Sequence, residues 1–169
     1  MEVQFVEGGA TAAKGFAAWG IHCGVRKNAS KPDLAMIMSS VPCTAAAVYT
    51  RNLVKGAPIL VTKKHLKNGT ARAVIVNSGN ANTCNADGVE KAERMSRAAA
   101  KALRIGEDDV IVASTGVIGV PLPIEPIENA VPKLASLLSP KGSLEAAKAI
   151  MTTDTMVKNL AVECSLGGK

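Results

Sequence analysis

The sequence predicts a single domain of mixed α/β fold that spans residues 1–169. Two short runs of continuous apolar residues, at 73–76 and 110–113, end on small polar residues and glycine, which is typical of buried strands. A segment at 89–103 instead repeats its apolar residues three or four positions apart, which indicates a helix. Hydrophobic residues make up 47% of the chain and aromatic residues only 2%, so we expect a core of aliphatic side chains.

The first half of the chain is predicted to consist of short strands and loops. Residues 33–40, DLAMIMSS, form a strand with a polar end. Residues 46–50 and 58–62 are predicted to be paired strands, connected by RNLVKGA. Residues 71–79, ARAVIVNSG, give the clearest buried strand, which Asn77-Ser78-Gly79 ends.

The centre of the chain combines a helix with a second buried strand. The helix at 89–103 has Asp87 or Asn85 as its N-terminal cap, since both side chains can accept from free backbone N–H groups. Residues 108–115, DDVIVAST, form the strand, and its apolar part reaches the polar pair Ser114-Thr115.

The last third is predicted to hold two further helices and a final strand. The first helix covers 123–139 and breaks near Pro132, because a proline lacks the N–H that a helix interior requires. The second covers 143–153 with Ser143 as its cap. The strand at 159–166 is expected to find its partner beyond the last residue, so a further polypeptide would complete the functional unit.

Composition and charge exclude several classes of partner. The net charge of +6 comes from scattered basic residues, which fits ordinary solubility or an anionic small molecule and shows no nucleic-acid footprint. Few aromatic side chains are available to stack on single-stranded nucleic acid. No apolar run approaches the length of a membrane span, and the N-terminus lacks a secretory signal pattern.

Cysteine and histidine usage indicates neither a metal site nor a disulfide framework. Cysteines at 23, 43, 84 and 164 have no metal-ligand spacing, so we interpret them as reduced, mostly buried thiols of a cytoplasmic protein. His22 beside Cys23 is a weak catalytic pair, since neighbouring side chains of a strand point to opposite faces. His65 is expected in an exposed polar loop. The chain therefore offers no convincing nucleophile and no motif for a cofactor.

Three polar clusters follow apolar segments and are candidate functional sites: 77–88 (NSGNANTCNADG), Thr115-Gly116, and 151–155 (MTTDT). Each also has a purely structural interpretation, as a hydrogen-bonded turn or a helix cap. The Thr115 hydroxyl and the Gly116 N–H are two donors that can point at one atom, and such an oxyanion hole stabilises a tetrahedral acyl intermediate by about 3–4 kcal/mol per donor. Alternatively, the same two donors would bind a phosphate or a carboxylate. In the third cluster, Thr152 or Thr153 would contact substrate.

Four segments together resemble the ornithine acetyltransferase family, whose members are bifunctional glutamate N-acetyltransferases of arginine biosynthesis. The segments occur in the family's order and are GFAAWGIHCGVRK (15–27), ARAVIVNSGNANTCNADG (71–88), VIVASTGVIG (110–119) and AIMTTDT (149–155). The resemblance covers essentially the whole chain. It implies a mixed-sheet αββα sandwich of the ornithine acetyltransferase and L-aminopeptidase/D-Ala-esterase type, completed by a β chain.

The resemblance also implies a mechanism in which this chain is the α chain of a self-cleaving precursor. The N-terminal threonine of the β chain acts as nucleophile, and its own amine can serve as base. It takes acetyl from N-acetylornithine and passes it to glutamate, and some members also use acetyl-CoA. The family's assembly of two α and two β chains is expected, with no cofactor.

Transferred residue by residue, Thr115 and Gly116 match the family's oxyanion-hole pair, and Thr152 matches its substrate-binding threonine. Thr153 remains an alternative to its neighbour. The family often has Pro-Lys after TTDT, where this chain has Met156-Val157-Lys158.

The alternative hypothesis is a non-enzymatic α/β module that binds a small molecule or an anion with the same loops. Such a module would bind its ligand stoichiometrically with no β chain. The two hypotheses differ in what the reading frame encodes after Lys169.

Overall fold

The computed structural model describes residues 3–167, and its centre is a four-stranded mixed sheet in the order β2-β3-β4-β5. β2 and β3 pair antiparallel, as do β3 and β4, whereas β4 and β5 are parallel. The strands are β1 (Val3–Val6), β2 (Phe16–Ile21), β3 (Leu34–Thr44), β4 (Thr70–Asn77), β5 (Val110–Ser114) and β6 (Ala161–Cys164), and the helices are α1 (Ala57–His65), α2 (Gly88–Leu103), α3 (Ile124–Leu137) and α4 (Ser143–Ala149).

The main core lies on one face of the sheet, between the strands and helices α1, α2 and α3. Ile75 of β4 and Val112 of β5 are buried there against Met95 of α2 and Ile127 of α3. Side chains along a strand alternate between faces, so the residues between these core positions point the other way. The aliphatic composition is thus sufficient to fill the core, as expected.

The opposite face of the sheet is only partly covered. Helix α4 packs on it over β2 and β3, where Ala18 and Ala35 meet Ala146 and Ala149. Gly20 is needed at this contact, since a Cβ there would lie 2.3 Å from the Glu145 carbonyl oxygen. Val76 of β4 packs at the margin of this cluster. Beyond it, this face of β4 and β5 carries the half-buried apolar side chains of Val74, Ile111 and Ala113.

Side chains of α1 form hydrogen bonds with backbone groups on the outer edge of β5. The Thr62 hydroxyl donates to the Val112 carbonyl over 2.8 Å and accepts from the Val112 N–H over 3.0 Å. His65 Nδ1 lies 2.8 Å from the Val110 carbonyl oxygen. Because these buried side chains occupy the backbone groups that a neighbouring strand would use, the sheet ends at β5.

The prediction of paired strands at 46–50 and 58–62 is wrong. Residues 46–50 have no regular structure, and 58–62 lie inside α1. Pro58 sits in the first turn of that helix, where its missing N–H costs nothing. The Ile-Leu-Val sequence has high strand propensity, but α1 packs between β5 and α2, and this tertiary contact decides its conformation.

The predicted break at Pro132 is also wrong, because α3 continues through it to Leu137. Pro132 is exposed, so the carbonyl that it leaves without a donor can bond to water. The buried row of Ile127, Val131 and Leu134 crosses the proline and holds both halves against the core.

The predictions for the second helix of the last third and for the final strand also need correction. Helix α4 stops at Ala149, and its N-cap is Gly142; Ser143 is its first residue, and the Ser143 hydroxyl accepts from the Ala10 N–H over 2.8 Å. Strand β6 pairs with β1 in a separate two-stranded ribbon, so its partner comes from the start of the chain. The strands at 33–40, 71–79 and 108–115 and the helix at 89–103 are confirmed. Asp87 occupies the N-cap position of α2, but its side chain makes no capping hydrogen bond and pairs with Lys91 over 2.7 Å instead.

Candidate functional site

The candidate site lies where the parallel strands β4 and β5 end side by side. Asn77 and Ser114 are register partners at these carboxyl ends, and Asn77 Nδ2 donates to Ser114 Oγ over 2.6 Å. The loops that follow both strands therefore leave the sheet together, and ligands of α/β proteins commonly bind at such an edge.

Three buried asparagines build the loop after β4. Asn77 Oδ1 accepts from the Gly79 and Asn80 N–H groups over 3.2 and 3.1 Å, which closes a tight turn. Asn80 Oδ1 then accepts from the Asn82 N–H over 2.7 Å, and Asn82 Nδ2 donates to the Gly88 carbonyl at the start of α2 over 2.8 Å. The NSGNAN sequence thus positions one loop from the end of β4 to the first turn of α2.

The same asparagines hold the loop that contains Thr115 and Gly116. The Thr115 N–H donates to the Asn77 carbonyl over 2.9 Å, and Asn80 Nδ2 donates to the Val120 carbonyl over 2.9 Å. Within residues 3–167, neither the Thr115 hydroxyl nor the Gly116 N–H has a hydrogen-bond partner. Thr115 is half-buried and Gly116 exposed, so both donors remain available to a ligand.

Gly116 is required at its position by two features of the backbone. Its backbone φ is +130°, a conformation that residues with a Cβ atom rarely adopt. A Cβ would also lie 2.8 Å from the Asn80 nitrogen and 2.9 Å from the Gly79 carbonyl carbon. The loop therefore packs its backbone directly on the Gly79-Asn80 turn, which fixes the direction of the Gly116 N–H.

The segment that contains Thr152 is tied to the same turn. The Ser78 hydroxyl donates to the Ala149 carbonyl at the end of α4 over 2.5 Å. The Arg26 guanidinium donates to the carbonyls of both Ser78 and Met151, the residue before Thr152. The structure thus brings the Thr115-Gly116 loop and the Thr152 segment onto one turn, 78–80. Arg26 lies in a segment that the sequence identified, but its role is visible only in three dimensions.

Thr152 differs from Thr153 in burial. Thr152 is half-buried, and its N–H lies 3.3 Å from Asp154 Oδ2, whereas Thr153 is exposed. The hydrogen bond from Lys158, followed by the bond from the Thr152 N–H, lowers the pKa of Asp154. The carboxylate is therefore ionised at neutral pH and accepts the hydrogen bond from the backbone that precedes it.

A buried carboxylate organises the loop that carries Arg26. Asp33 is fully buried and accepts from the N–H groups of Cys23 over 2.6 Å and Arg26 over 2.7 Å. Burial and, secondarily, the Asp33 charge raise the pKa of the Cys23 thiol to about 12. Cys23 is therefore a thiol at neutral pH, so its pairing with His22 gives no nucleophile.

The remaining cysteines and His65 differ from expectation. Cys84 and Cys164 are exposed, and Cys23 and Cys43 are half-buried, so the prediction of mostly buried thiols is wrong. His65 is buried at the end of α1 and takes part in closing β5, so it does not lie in an exposed loop.

Four clefts of about 350 to 820 Å³ lie among the described residues, and none of these four is lined by Thr115 or Thr152. The cleft of about 450 Å³ borders the site, since Gly79, Asn80 and Val117 line it. The cleft of about 820 Å³ lies between α2 and α3, on the core side of the sheet. Within residues 3–167, no group of three or more His, Cys, Asp and Glu side chains is arranged to hold a metal ion, and no helix is long and apolar enough to cross a membrane.

Comparison with known proteins gives the family. Residues 17–169 match the sequence profile of the ArgJ family. The chain belongs to the ArgJ family. The arginine biosynthesis bifunctional protein ArgJ of Symbiobacterium thermophilum is 46% identical over 98% of this chain, and that of Gloeobacter violaceus is 48% identical over 99%. This chain spans 42% of the length of each of these two curated relatives.

Two solved ArgJ structures share the fold. The crystal structure of ArgJ from Bacillus halodurans superposes with a TM-score of 0.90 at 40% identity, covering 99% of this chain and 88% of that one. The structure of ornithine acetyltransferase from Mycobacterium tuberculosis in complex with ornithine superposes with a TM-score of 0.89 at 37% identity, covering 95% and 88%. The α/β fold with a mixed sheet is therefore that of ArgJ proteins. The ArgJ relative from maize, 43% identical over 96% of this chain, is named chloroplastic.

Proposed function

We propose that this chain is the α chain of an ornithine acetyltransferase and that it supplies the oxyanion hole and one substrate contact. The enzyme transfers acetyl from N-acetylornithine to glutamate. We include acetyl-CoA as a second donor, because the curated relatives are named bifunctional. The nucleophile is the N-terminal threonine of a β chain made from the same precursor.

The observation that carries the proposal is the pair of unengaged donors at Thr115 and Gly116, fixed by the asparagine loop at the edge of the sheet. An incoming hydroxyl that attacks the acetyl carbonyl turns its oxygen into an oxyanion. The Thr115 hydroxyl and the Gly116 N–H would stabilise that oxyanion. The intermediate then collapses by cleaving its bond to the ornithine nitrogen, which takes up the proton lost by the hydroxyl and leaves as an amine. The amine of glutamate attacks the resulting acetyl ester through the same kind of intermediate, and its collapse breaks the ester bond and restores the hydroxyl.

The substrate contact is assigned to Thr152. Its segment is held on the 78–80 turn, and its side chain is half-buried, whereas that of Thr153 is exposed. Thr152 and the oxyanion donors then contact one acetylated substrate from two sides.

Two observations support completion by a β chain. The sheet face of β4 and β5 keeps half-buried apolar side chains that a second sheet would cover, as in an αββα sandwich. This chain also covers 88% of the solved chains but only 42% of the two full-length relatives, so the solved chains are much shorter than those proteins. A precursor cut near this point would produce that difference. An α₂β₂ assembly in the cytoplasm remains part of the proposal.

The test is Thr115→Ala in the enzyme made from the full-length precursor. We expect kcat to fall by about 10²–10³, with little change in the KM for N-acetylornithine, because the lost donor acts on the transition state. Self-cleavage is expected to slow as well, since it passes through a tetrahedral oxyanion. Thr44→Ala, which removes an exposed threonine at the end of β3, is the matched control.

Two results would contradict the proposal. A change in KM alone would exclude the oxyanion role of Thr115. If the wild-type protein bound N-acetylornithine stoichiometrically but formed no N-acetylglutamate, the non-enzymatic binding module would be favoured.

A further inference from the structure

We infer that Arg26 is a positioning residue that clamps the substrate-binding segment at Thr152 onto the turn that supports the oxyanion hole. The inference rests on the proposed function for its effect on catalysis, whereas the clamp itself is a property of this chain. Arg26 lies in the connection between β2 and β3, residues 22–33, and its side chain reaches two other parts of the chain, at 78 and 151.

The contacts of the guanidinium define the clamp. Nε and Nη2 donate to the Ser78 carbonyl over 3.1 and 2.6 Å, and Nη2 also donates to the Met151 carbonyl. The planar guanidinium fixes the directions of its donors, so the two carbonyls are held at a set distance from each other. Because Met151 directly precedes Thr152, the position of Thr152 follows from the clamp.

The backbone of Arg26 is itself anchored. Its N–H donates to the fully buried Asp33 carboxylate over 2.7 Å, and the Asp33 carbonyl accepts from the Ser78 N–H over 2.9 Å. Asp33 therefore sets the spacing between the Arg26 backbone and the carbonyl that its side chain binds. The planar guanidinium is itself pre-organised, so little entropy is lost per hydrogen bond that it forms.

The two halves of the site depend on Arg26 to different degrees. The Gly79-Asn80 turn, on which Gly116 packs, has its own support from Asn77 Oδ1. The Met151 carbonyl has no other hydrogen bond within residues 3–167. The Ser78 hydroxyl still holds the Ala149 carbonyl, and the Met151 N–H still donates to the Lys148 carbonyl over 3.3 Å. Loss of the guanidinium should therefore loosen the Thr152 segment without detaching it and leave the oxyanion donors in place.

The experiment compares Arg26→Met with the wild-type enzyme made from the full-length precursor. We expect the KM for N-acetylornithine to rise by about 10-fold, the effect of losing a hydrogen bond from a charged donor, while kcat changes by less than about threefold. Arg26→Lys should recover only part of the loss, because an ammonium can donate to one of the two carbonyls but lacks the planar fork that holds both. Lys27→Met is the control, since it removes an exposed cation from the adjacent residue.

Hydrogen exchange of the same proteins, read by peptide mass spectrometry, tests the clamp without catalysis. In Arg26→Met we expect exchange in 150–155 to quicken by about 10-fold and exchange at 79–80 to stay unchanged. Unchanged exchange in 150–155 would overturn the inference, and so would a loss of kcat with KM unchanged. If the wild-type enzyme transferred no acetyl group but exchange rose as expected, the proposed function would fail and the clamp would stand.

Discussion

Gly116→Ala is the substitution that most directly tests the geometry of the candidate oxyanion hole. The change adds one methyl group and removes no hydrogen-bonding group. Its effect therefore comes only from backbone conformation and from the space around the new Cβ. Both are unfavourable at this position, since φ is +130° and backbone atoms of Gly79 and Asn80 lie 2.8–3.0 Å from the Cβ.

The magnitude can be worked from these two terms. A residue with a Cβ at such a φ costs about 1–3 kcal/mol of strain. The contacts with backbone atoms cannot be relieved by rotating a side chain, and overpacking of this kind costs about 1–3 kcal/mol more. The loop will move to relieve part of this energy, so we expect the free energy of unfolding to fall by about 2–4 kcal/mol. For a chain of this size the Tm would then drop by roughly 5–15 °C.

Movement of the loop is what affects catalysis. The direction of the Gly116 N–H is set by the packing on the 79–80 turn, so relief of the clash turns the donor away from the developing oxyanion. We expect kcat for acetyl transfer to fall by about 10²–10³, the effect of losing one oxyanion-hole donor. The KM for N-acetylornithine should change little. Activity is measured well below the Tm of each variant, and Tm by circular dichroism.

Gly119→Ala is the matched control in the same loop. Gly119 has a φ of +70°, but no atom lies within 4 Å of the position that its Cβ would take. It therefore carries the left-handed strain of about 1–2 kcal/mol without the clash. If Gly116→Ala kept a kcat within about threefold of Gly119→Ala at equal folded fraction, the assignment of the Gly116 N–H as a transition-state donor would be refuted.

Two further predictions concern the core and the thiols. Thr62→Val should lower the free energy of unfolding by about 2–4 kcal/mol, because it leaves the buried N–H and carbonyl of Val112 without partners. Thr62→Ser keeps the hydroxyl and should lower it by only about 1 kcal/mol. Urea unfolding measures both values, and equal losses would contradict the role of the hydroxyl. At pH 8, Cys84 and Cys164 should react with iodoacetamide well before Cys23, whose pKa of about 12 leaves a thiolate fraction of about 10⁻⁴. The rate of Cys23 alkylation should rise about tenfold per pH unit below that pKa while the protein stays folded, because each unit raises the thiolate fraction tenfold. Mass spectrometry of the labelled peptides measures this rate, and a rate independent of pH would contradict the prediction.

The helices and strands that the sequence predicted correctly are those whose pattern is local and complete. In β4 and β5 a continuous apolar run ends at polar residues, and in α2 the apolar side chains recur at helical spacing. The polar ends of the two strands also located the candidate site. Parallel pairing of β4 and β5 then explains why Asn77 and Ser114 meet.

The sequence misassigned the elements whose conformation depends on distant partners. The Ile-Leu-Val run of α1 has strand propensity, and only its burial between β5 and α2 makes it a helix. Pro132 is a helix breaker by local rules, yet the packed row on both sides of it keeps α3 continuous. β6 pairs with β1, whose sequence lies more than 150 residues away.

The amino-acid sequence by itself determined the family, the core strands and the identities of Thr115, Gly116 and Thr152 as candidate site residues. The tertiary structure decided how these residues are held. Asn77 and Asn80 reach Ser114 and Val120, and Arg26 reaches the carbonyls at 78 and 151, through hydrogen bonds between segments that are distant along the chain. Such bonds leave no periodic trace in a sequence, because each depends on where the backbone of another segment lies.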